Sequence, residues 1–293
     1  MTTIHAHGRV EKAPPAPVYL NHLYVVPTPE TYKAVAENDF LQKNFGAFES
    51  RTTTRADKTY TGLYFYGQHT YFELLEPPKD GKAPETFSGV AFGTETPGGV
   101  QSLASLLDQS NSNMAMVKPI NRQAEGKTVN WFLQLIFDSS FEKSKFATWL
   151  MEYDSDFLRN WYPQLPPANP SIRRSDVLER YAAKVNRTRE RNEGLFEDVA
   201  RIRLLLESNE AKEFENICGI YGFQISRHGK ETSCKGPEIE LIIRTFEAAR
   251  PPARSGVTAI QFTLRNDSAG HKTLKLGSGS ELEFKGKTAV WRF

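Results

Sequence analysis

Two cysteines in 293 residues, Cys218 and Cys234, are too few for a disulfide scaffold. With no secretion signal beside them, free thiols in a reducing compartment are the expectation. Net charge is also scarce. A formal balance of +2 removes the strong basic footprint that nucleic-acid binding needs. No apolar run approaches the ~20 residues that cross a bilayer. The opening MTTIHAHGRVEKAPPAP has no apolar h-region and does not read as a signal peptide. These absences point to a cytoplasmic protein with neither a nucleic-acid nor a membrane partner. Missing too are G-x-G-x-x-G, the Walker A loop, G-x-S-x-G and H-E-x-x-H, so no nucleotide cofactor is expected and no conventional hydrolase motif is present.

Aromatic residues, by contrast, make up 12% of the chain, a share that favours a lined cavity or a tightly packed sheet core. Residues 1–17 read as a flexible leader, because Pro14, Pro15 and Pro17 keep them out of a central strand. The run VYLNHLYVV (18–26) then alternates as a strand and carries a single histidine, His22. A helix follows over PETYKAVAENDFLQKNF, capped by Thr28 or Thr31. Three strand-like runs come next, AFESRTTT, TYTGLYFYG and HTYFELLEP. The last carries a single carboxylate, Glu73, among apolar neighbours. An acid and an imidazole half-buried on adjacent strands need each other or a metal. By alternation Tyr64 and Tyr66 share one face of this sheet and form a ring-lined wall for an apolar or aromatic ligand. Tyr60 joins them if no bulge intervenes, and Arg51 is a salt-bridge alternative for Glu73. His69, at the turn before Glu73, is a further candidate.

The stretch 78–128 is rich in Gly, Pro, Ser and Thr and reads as a rim loop, with a helix at GVQSLASLLDQ and an edge strand at NMAMVKPI. VNWFLQLIF (129–137) is a strand; FEKSKFATWLMEY reads as an amphipathic helix, and 154–215 as a helical insertion broken by PQLPPANPS. The basic run Arg187 to Arg191 reads as a solvated helix face. Strands return at GIYGFQISRH, EIELIIRTF, GVTAIQFTLRN, KTLKLG, SELEFKG and TAVWRF. His228 near Cys234 lacks the clustered spacing of a structural zinc site, and His5, His7 and His271 read as leader or polar-turn residues.

The strand–helix–three-strand order, with LNHLYVV at its start and YFELLEP at its end, resembles one βαβββ module of the vicinal-oxygen-chelate superfamily, which includes glyoxalase I and extradiol dioxygenases. The resemblance implies an α+β fold of paired βαβββ modules forming a curved mixed sheet around a cavity, with a helical insertion. It divides the chain into a leader (1–17), a first module with its rim loop (18–128) and a divergent second module (129–293) holding the insertion 154–215. It also implies a divalent metal (zinc, iron, manganese or magnesium) held by His22 and Glu73, with partners from the second module. There, Glu283 stands for the second glutamate, with Glu240 competing. Gln134 or Gln261 is the nearest polar residue to the histidine position, where Trp131, Leu133 or Ala259 falls, and both glutamines would face the ligand with Tyr64 and Tyr66. The activity implied is that of a glyoxalase-like lyase, isomerase or oxygenase, with His22 and Glu73 as metal ligands or an acid/base pair. The alternative is a non-catalytic small-molecule binding protein with a degenerate metal site. A small molecule is the expected partner, and a homodimer is left open.

Overall fold

The computed structural model describes residues 16–56, 58–84, 86–109, 115–124, 126–137, 145–161, 172–187, 194–249, 255–268 and 272–293. Most of the expected leader, His271, the Pro-rich break and most of the Arg187 to Arg191 run lie outside them.

Alternation between apolar and polar residues sets the first unit. It runs β1 (Val18–Val25), α1 (Pro29–Ala36), a π-helical turn (Leu41–Phe45), β2 (Ala47–Thr54), β3 (Thr59–Tyr66) and β4 (Tyr71–Leu75). Thr28 caps α1, its hydroxyl accepting from the Thr31 backbone N–H, and Pro29 occupies the first turn where no N–H is needed. Strand β4 lies parallel beside β1, as a helical crossover requires, while β2, β3 and β4 pair antiparallel.

The same plan then repeats. The second unit is β5 (Ser88–Thr94), α2 (Gly99–Gln109), β6 (Ala115–Ala124), β7 (Lys127–Phe137) and β8 (Phe146–Tyr153), with β8 parallel to β5. Helices α3 (Ser155–Trp161) and α4 (Arg174–Arg187) lead to a third unit: β9 (Phe196–Glu207), α5 (Ser208–Ile220), β10 (Gln224–His228), β11 (Glu231–Gly236) and β12 (Ile239–Phe246). The fourth unit is β13 (Gly256–Leu264), β14 (Lys272–Lys275), β15 (Glu281–Lys285) and β16 (Thr288–Arg292). In the first three units the first and last strands are parallel; in the fourth, β16 is antiparallel to β13. The physical reason is direction: with no helix among the described residues between them, β14 starts in the opposite sense to β13, and every later strand inherits the reversal.

The strands form two eight-stranded sheets of matching order, β2-β3-β4-β1-β5-β8-β7-β6 and β10-β11-β12-β9-β13-β16-β15-β14. The first is a mixed, curved sheet of two joined βαβββ units, as the resemblance implied; the second joins one such unit to a four-strand unit in which the described residues hold no helix. The first curls until its edges meet, for Arg55 just beyond β2 forms an isolated bridge with Arg122 of β6. One continuous core lies between the sheets. Phe45 stacks on Phe196 at 5.7 Å, and Phe72 meets Phe262 at 5.1 Å and Trp291 at 5.7 Å. A second cluster covers the other face of the first sheet, where Val177, Leu178 and Tyr181 of α4 pack with Tyr64, Tyr66 and Tyr71.

Several expectations change. FATWLMEY is the strand β8 rather than a helix, and LFEDVARIRLLLE supplies β9 rather than continuing the helical insertion. Both strands are central; β8 carries apolar residues on both faces, and in β9 a register shift against β13 breaks the two-residue alternation, so the spacing mimics a helix. The expected helix and edge strand of the stretch 78–128 stand as α2 and β6, but the stretch also holds the central strand β5, and the division anticipated at 129 falls inside the β6–β7 hairpin. Among the described residues no helix is long and apolar enough to cross a membrane.

Candidate functional site

A bulge in β1 builds the centre of the site. The pairing of β1 with β5 slips between Leu20 and His22. Leu20 and Leu23 both enter the inter-sheet core, which leaves Asn21 and His22 to the inner face of the first sheet. The His22 Nδ1 lies 2.8 Å from Asn21 Oδ1. A carbonyl oxygen only accepts, so Nδ1 carries the proton and the Nε2 lone pair is left facing inward. The ring stacks on Tyr71 at 4.5 Å and meets Trp149 edge-on at 5.4 Å. Nε2 faces Glu73 Oε1 at 3.8 Å, too far for a hydrogen bond.

Burial governs both groups. It pushes the His22 imidazole down to about 3. It pushes the Glu73 carboxyl up to about 7, against the pull of the Arg51 charge and of hydrogen bonding from the Tyr64 and Tyr71 phenols. At neutral pH the pair is therefore a neutral imidazole beside a carboxyl poised near its midpoint. Burial also holds the Tyr60, Tyr64, Tyr66 and Tyr71 phenols above their ordinary value, so they stay protonated donors. No bulge interrupts β2–β3, and Tyr60 joins Tyr64 and Tyr66 on the inner face.

Arg51 does not pair with Glu73. Its Nη1 donates to Glu49 Oε1 at 2.6 Å and to the Tyr66 hydroxyl at 3.0 Å, and its guanidinium lies 4.0 Å over the Tyr64 ring. The Tyr66 hydroxyl in turn donates to Glu49.

The remaining candidates scatter. Gln134 lies on the inner face of β7, opposite Met151, and β5 and β8 separate its strand from His22. Gln261 and Glu283 belong to the second sheet. Gln261 accepts from Arg201 Nη1 at 3.1 Å, Glu283 accepts from Arg292 Nη1 at 2.8 Å, and the competing Glu240 is bonded to Arg201. His69 turns the other way, toward Asp198 at 2.9 Å. His228 is exposed while Cys234 is buried, and both cysteines are free.

A metal of the implied kind needs more than this. His22 Nε2 and Glu73 Oε1 are two suitable donors. The second unit should supply the others, but the inner positions of β5 are Gly89, Ala91 and Gly93, and those of β8 are Ala147, Trp149, Met151 and Tyr153. Among the described residues no three His, Cys, Asp or Glu side chains gather. A catalytic divalent metal takes three protein ligands and an open position, so this donor set does not fit one.

Trp149, Arg122, Asn21 and Tyr181 also lie on this face, and the sequence did not reveal them. Trp149 sat in a run read as helix. Arg122 and Tyr181 carry no local signal, since only pairing and packing bring them to this face.

Comparison with known proteins agrees with the fold. A hypothetical protein from Staphylococcus aureus superposes with a TM-score of 0.55 at 11% identity, covering 92% of this chain and 98% of that one. A xylose isomerase-like TIM barrel/4-hydroxyphenylpyruvate dioxygenase fusion protein gives 0.45 at 11% identity, covering 88% of this chain and 38% of that one. A mutant 4-hydroxymandelate synthase from Streptomyces coelicolor gives 0.39 at 11% identity, over 84% of this chain and 70% of that one. No curated protein matches the chain. A family model does match residues 20–293, and the chain belongs to that family, described as a family of unknown function (DUF5829).

Proposed function

We propose that the chain is a small-molecule binding protein whose ligand lies against the inner face of the first sheet, at a metal site of which only half remains. The observation that carries this reading is the second unit's contribution. Where histidine or carboxylate ligands would be needed, β5 and β8 present glycine, alanine, tryptophan, methionine and tyrosine. Those residues shape a surface for rings and apolar groups. His22 Nε2 and the Glu73 carboxyl then serve as a fixed acceptor and a switchable donor that orient the ligand, while Tyr64 and Tyr66 wall it.

Elemental analysis of protein purified without added metal tests the reading. Sub-stoichiometric zinc, iron and manganese, with a small molecule released on denaturation, is the expected result. One divalent ion per chain, lost in His22→Ala, overturns it.

A second reading rests on the carboxyl held up to about 7 beside a neutral imidazole. That pair is suited to moving a proton next to a carbonyl, as a glyoxalase-like lyase or isomerase would require. Chemical change in the released molecule on incubation with fresh protein, abolished in Glu73→Gln, would favour the enzyme over the binder.

A further inference from the structure

We infer that the ligand of the first sheet is an acid, a flat ring bearing a carboxylate that is received by Arg122 and the Trp131 indole N–H. This rests on the reading of that inner face as a binding site and names the chemistry of its occupant.

The argument starts at the seam where the sheet's edges meet. Arg122 lies on β6 at the bridge to Arg55. The β6–β7 pairing slips between Ile120 and Asn121, so that Trp131 is the extra residue of a bulge. Both Trp131 and Phe132 consequently enter the inner cluster. The Arg122 guanidinium then lies 4.9 Å over the Trp131 ring and 4.9 Å over the Phe157 ring of α3, and its Nη1 donates to the Tyr181 hydroxyl at 3.1 Å. Among the described residues it faces no carboxylate. Arg51, a second cation of this face, is already neutralised by Glu49.

Hydrogen-bond donors are in surplus there. Among the described residues, Arg51 Nε, Arg122 Nε, Trp131 Nε1 and Trp149 Nε1 are buried with no acceptor, against a single orphaned acceptor on these strands, Asn121 Oδ1. Buried donors are rarely left so, and four on one face call for an occupant rich in acceptors. A carboxylate supplies two oxygens and the charge that Arg122 lacks. The ring requirement comes from what lies between. Tyr181 stacks on Tyr66 at 5.2 Å, Tyr66 meets Tyr71 at 5.8 Å, and Tyr71 stacks on His22. This aromatic row joins the cationic seam to the His22–Glu73 pair, and like-charge repulsion directs the acid end to the seam rather than to Glu73.

Titration calorimetry with phenylacetate and 3-phenylpropionate, each paired with its neutral amide, tests the inference. Each acid should bind about tenfold or more tighter than its amide. Arg122→Gln should bring the acid down to the amide's level, and Arg122→Lys should retain a preference for the acid, with circular dichroism melts checking that both variants fold. Equal binding of acid and amide, or a preference that survives in Arg122→Gln, overturns the assignment and leaves the binding reading standing. Absence of binding by all four compounds overturns both.

Discussion

His22 and Glu73 give stability opposite dependences on pH, and that makes their burial measurable. The imidazole titrates at about 3 in the folded protein against an ordinary value of 6.5. The folded state thus binds fewer protons in that window, and the stability present above pH 6.5 is lost as pH falls toward 3. The carboxyl titrates at about 7 against 4.5. Here the folded state binds more protons, and the stability present below pH 4.5 is lost as pH rises through 7. Between 4.5 and 6.5 the two slopes oppose each other, so wild-type profiles alone hide them. Glu73→Gln keeps the shape and removes the second term. In urea titrations it should exceed wild type by about 3 kcal/mol at pH 8, with the gap closing toward pH 4.5. A gap that does not change with pH would mean that the carboxyl is not paying for desolvation at all.

At the scale of elements, the inner face depends on close approach between strands. Gly89 of β5 lies opposite Tyr24 and Ala147, and a Cβ there would sit 2.4 Å from the Tyr24 ring and 3.1 Å from the Ala147 carbonyl oxygen. The Tyr24 ring is itself held by its hydroxyl's 2.5 Å hydrogen bond to Thr86. Gly89→Ala should therefore cost about 1–3 kcal/mol by overpacking, read as a lowered urea midpoint with a changed near-ultraviolet spectrum. An unchanged spectrum would show that Tyr24 has room to yield. No local pattern marks this glycine, whereas the first unit was more legible. Its strands were recognisable from alternation, its turns carry Gly and Pro, and parity alone put Tyr64 and Tyr66 on one face, although the bulge that turns His22 to that face was not visible. Legibility ended where strands became central. Phe146, Trp149 and Leu150 have helical spacing, yet Phe146 and Leu150 enter the core while Trp149 lines the site. In β9 the charged residues Arg201 and Arg203 pair with Glu240 and Glu231, 39 and 28 residues further on. The two bulges were equally hidden, because a register slip is a property of two strands and not of either sequence.

Across the whole molecule, the two sheets are held by polar clasps as well as by the shared aromatic core. Asp198 of β9 accepts at Oδ1 from the backbone N–H groups of His69 and Thr70, at 2.7 and 2.9 Å, and from the Thr70 hydroxyl at 3.0 Å. Its Oδ2 lies 2.9 Å from His69 Nδ1, and the Thr70 hydroxyl oxygen accepts from the Val199 N–H at 2.8 Å. At a second point the Ser88 hydroxyl oxygen accepts from the Val257 N–H at 2.8 Å. At a third, Arg174, at the start of α4, donates to the Leu20 carbonyl in the first sheet and to Glu238 beside β12 in the second. The His69–Thr70 turn leads directly into β4, so the clasp fixes the strand that presents Tyr71 and Glu73. Asp198→Ala would strip the acceptors from two backbone donors and should cost about 2–3 kcal/mol. Asp198→Asn retains one carbonyl oxygen and should cost less. Because Phe45, Phe72 and their partners make one core of both sheets, unfolding in urea should remain a single transition in each variant, with fluorescence and circular dichroism coincident. Separate transitions in Asp198→Ala would instead mean that the clasp, and not the aromatic core, couples the sheets. The signature of the clasp itself is local: amide exchange in β4 should accelerate in Asp198→Ala more than exchange in β13, which is anchored by Ser88 and by its own neighbours.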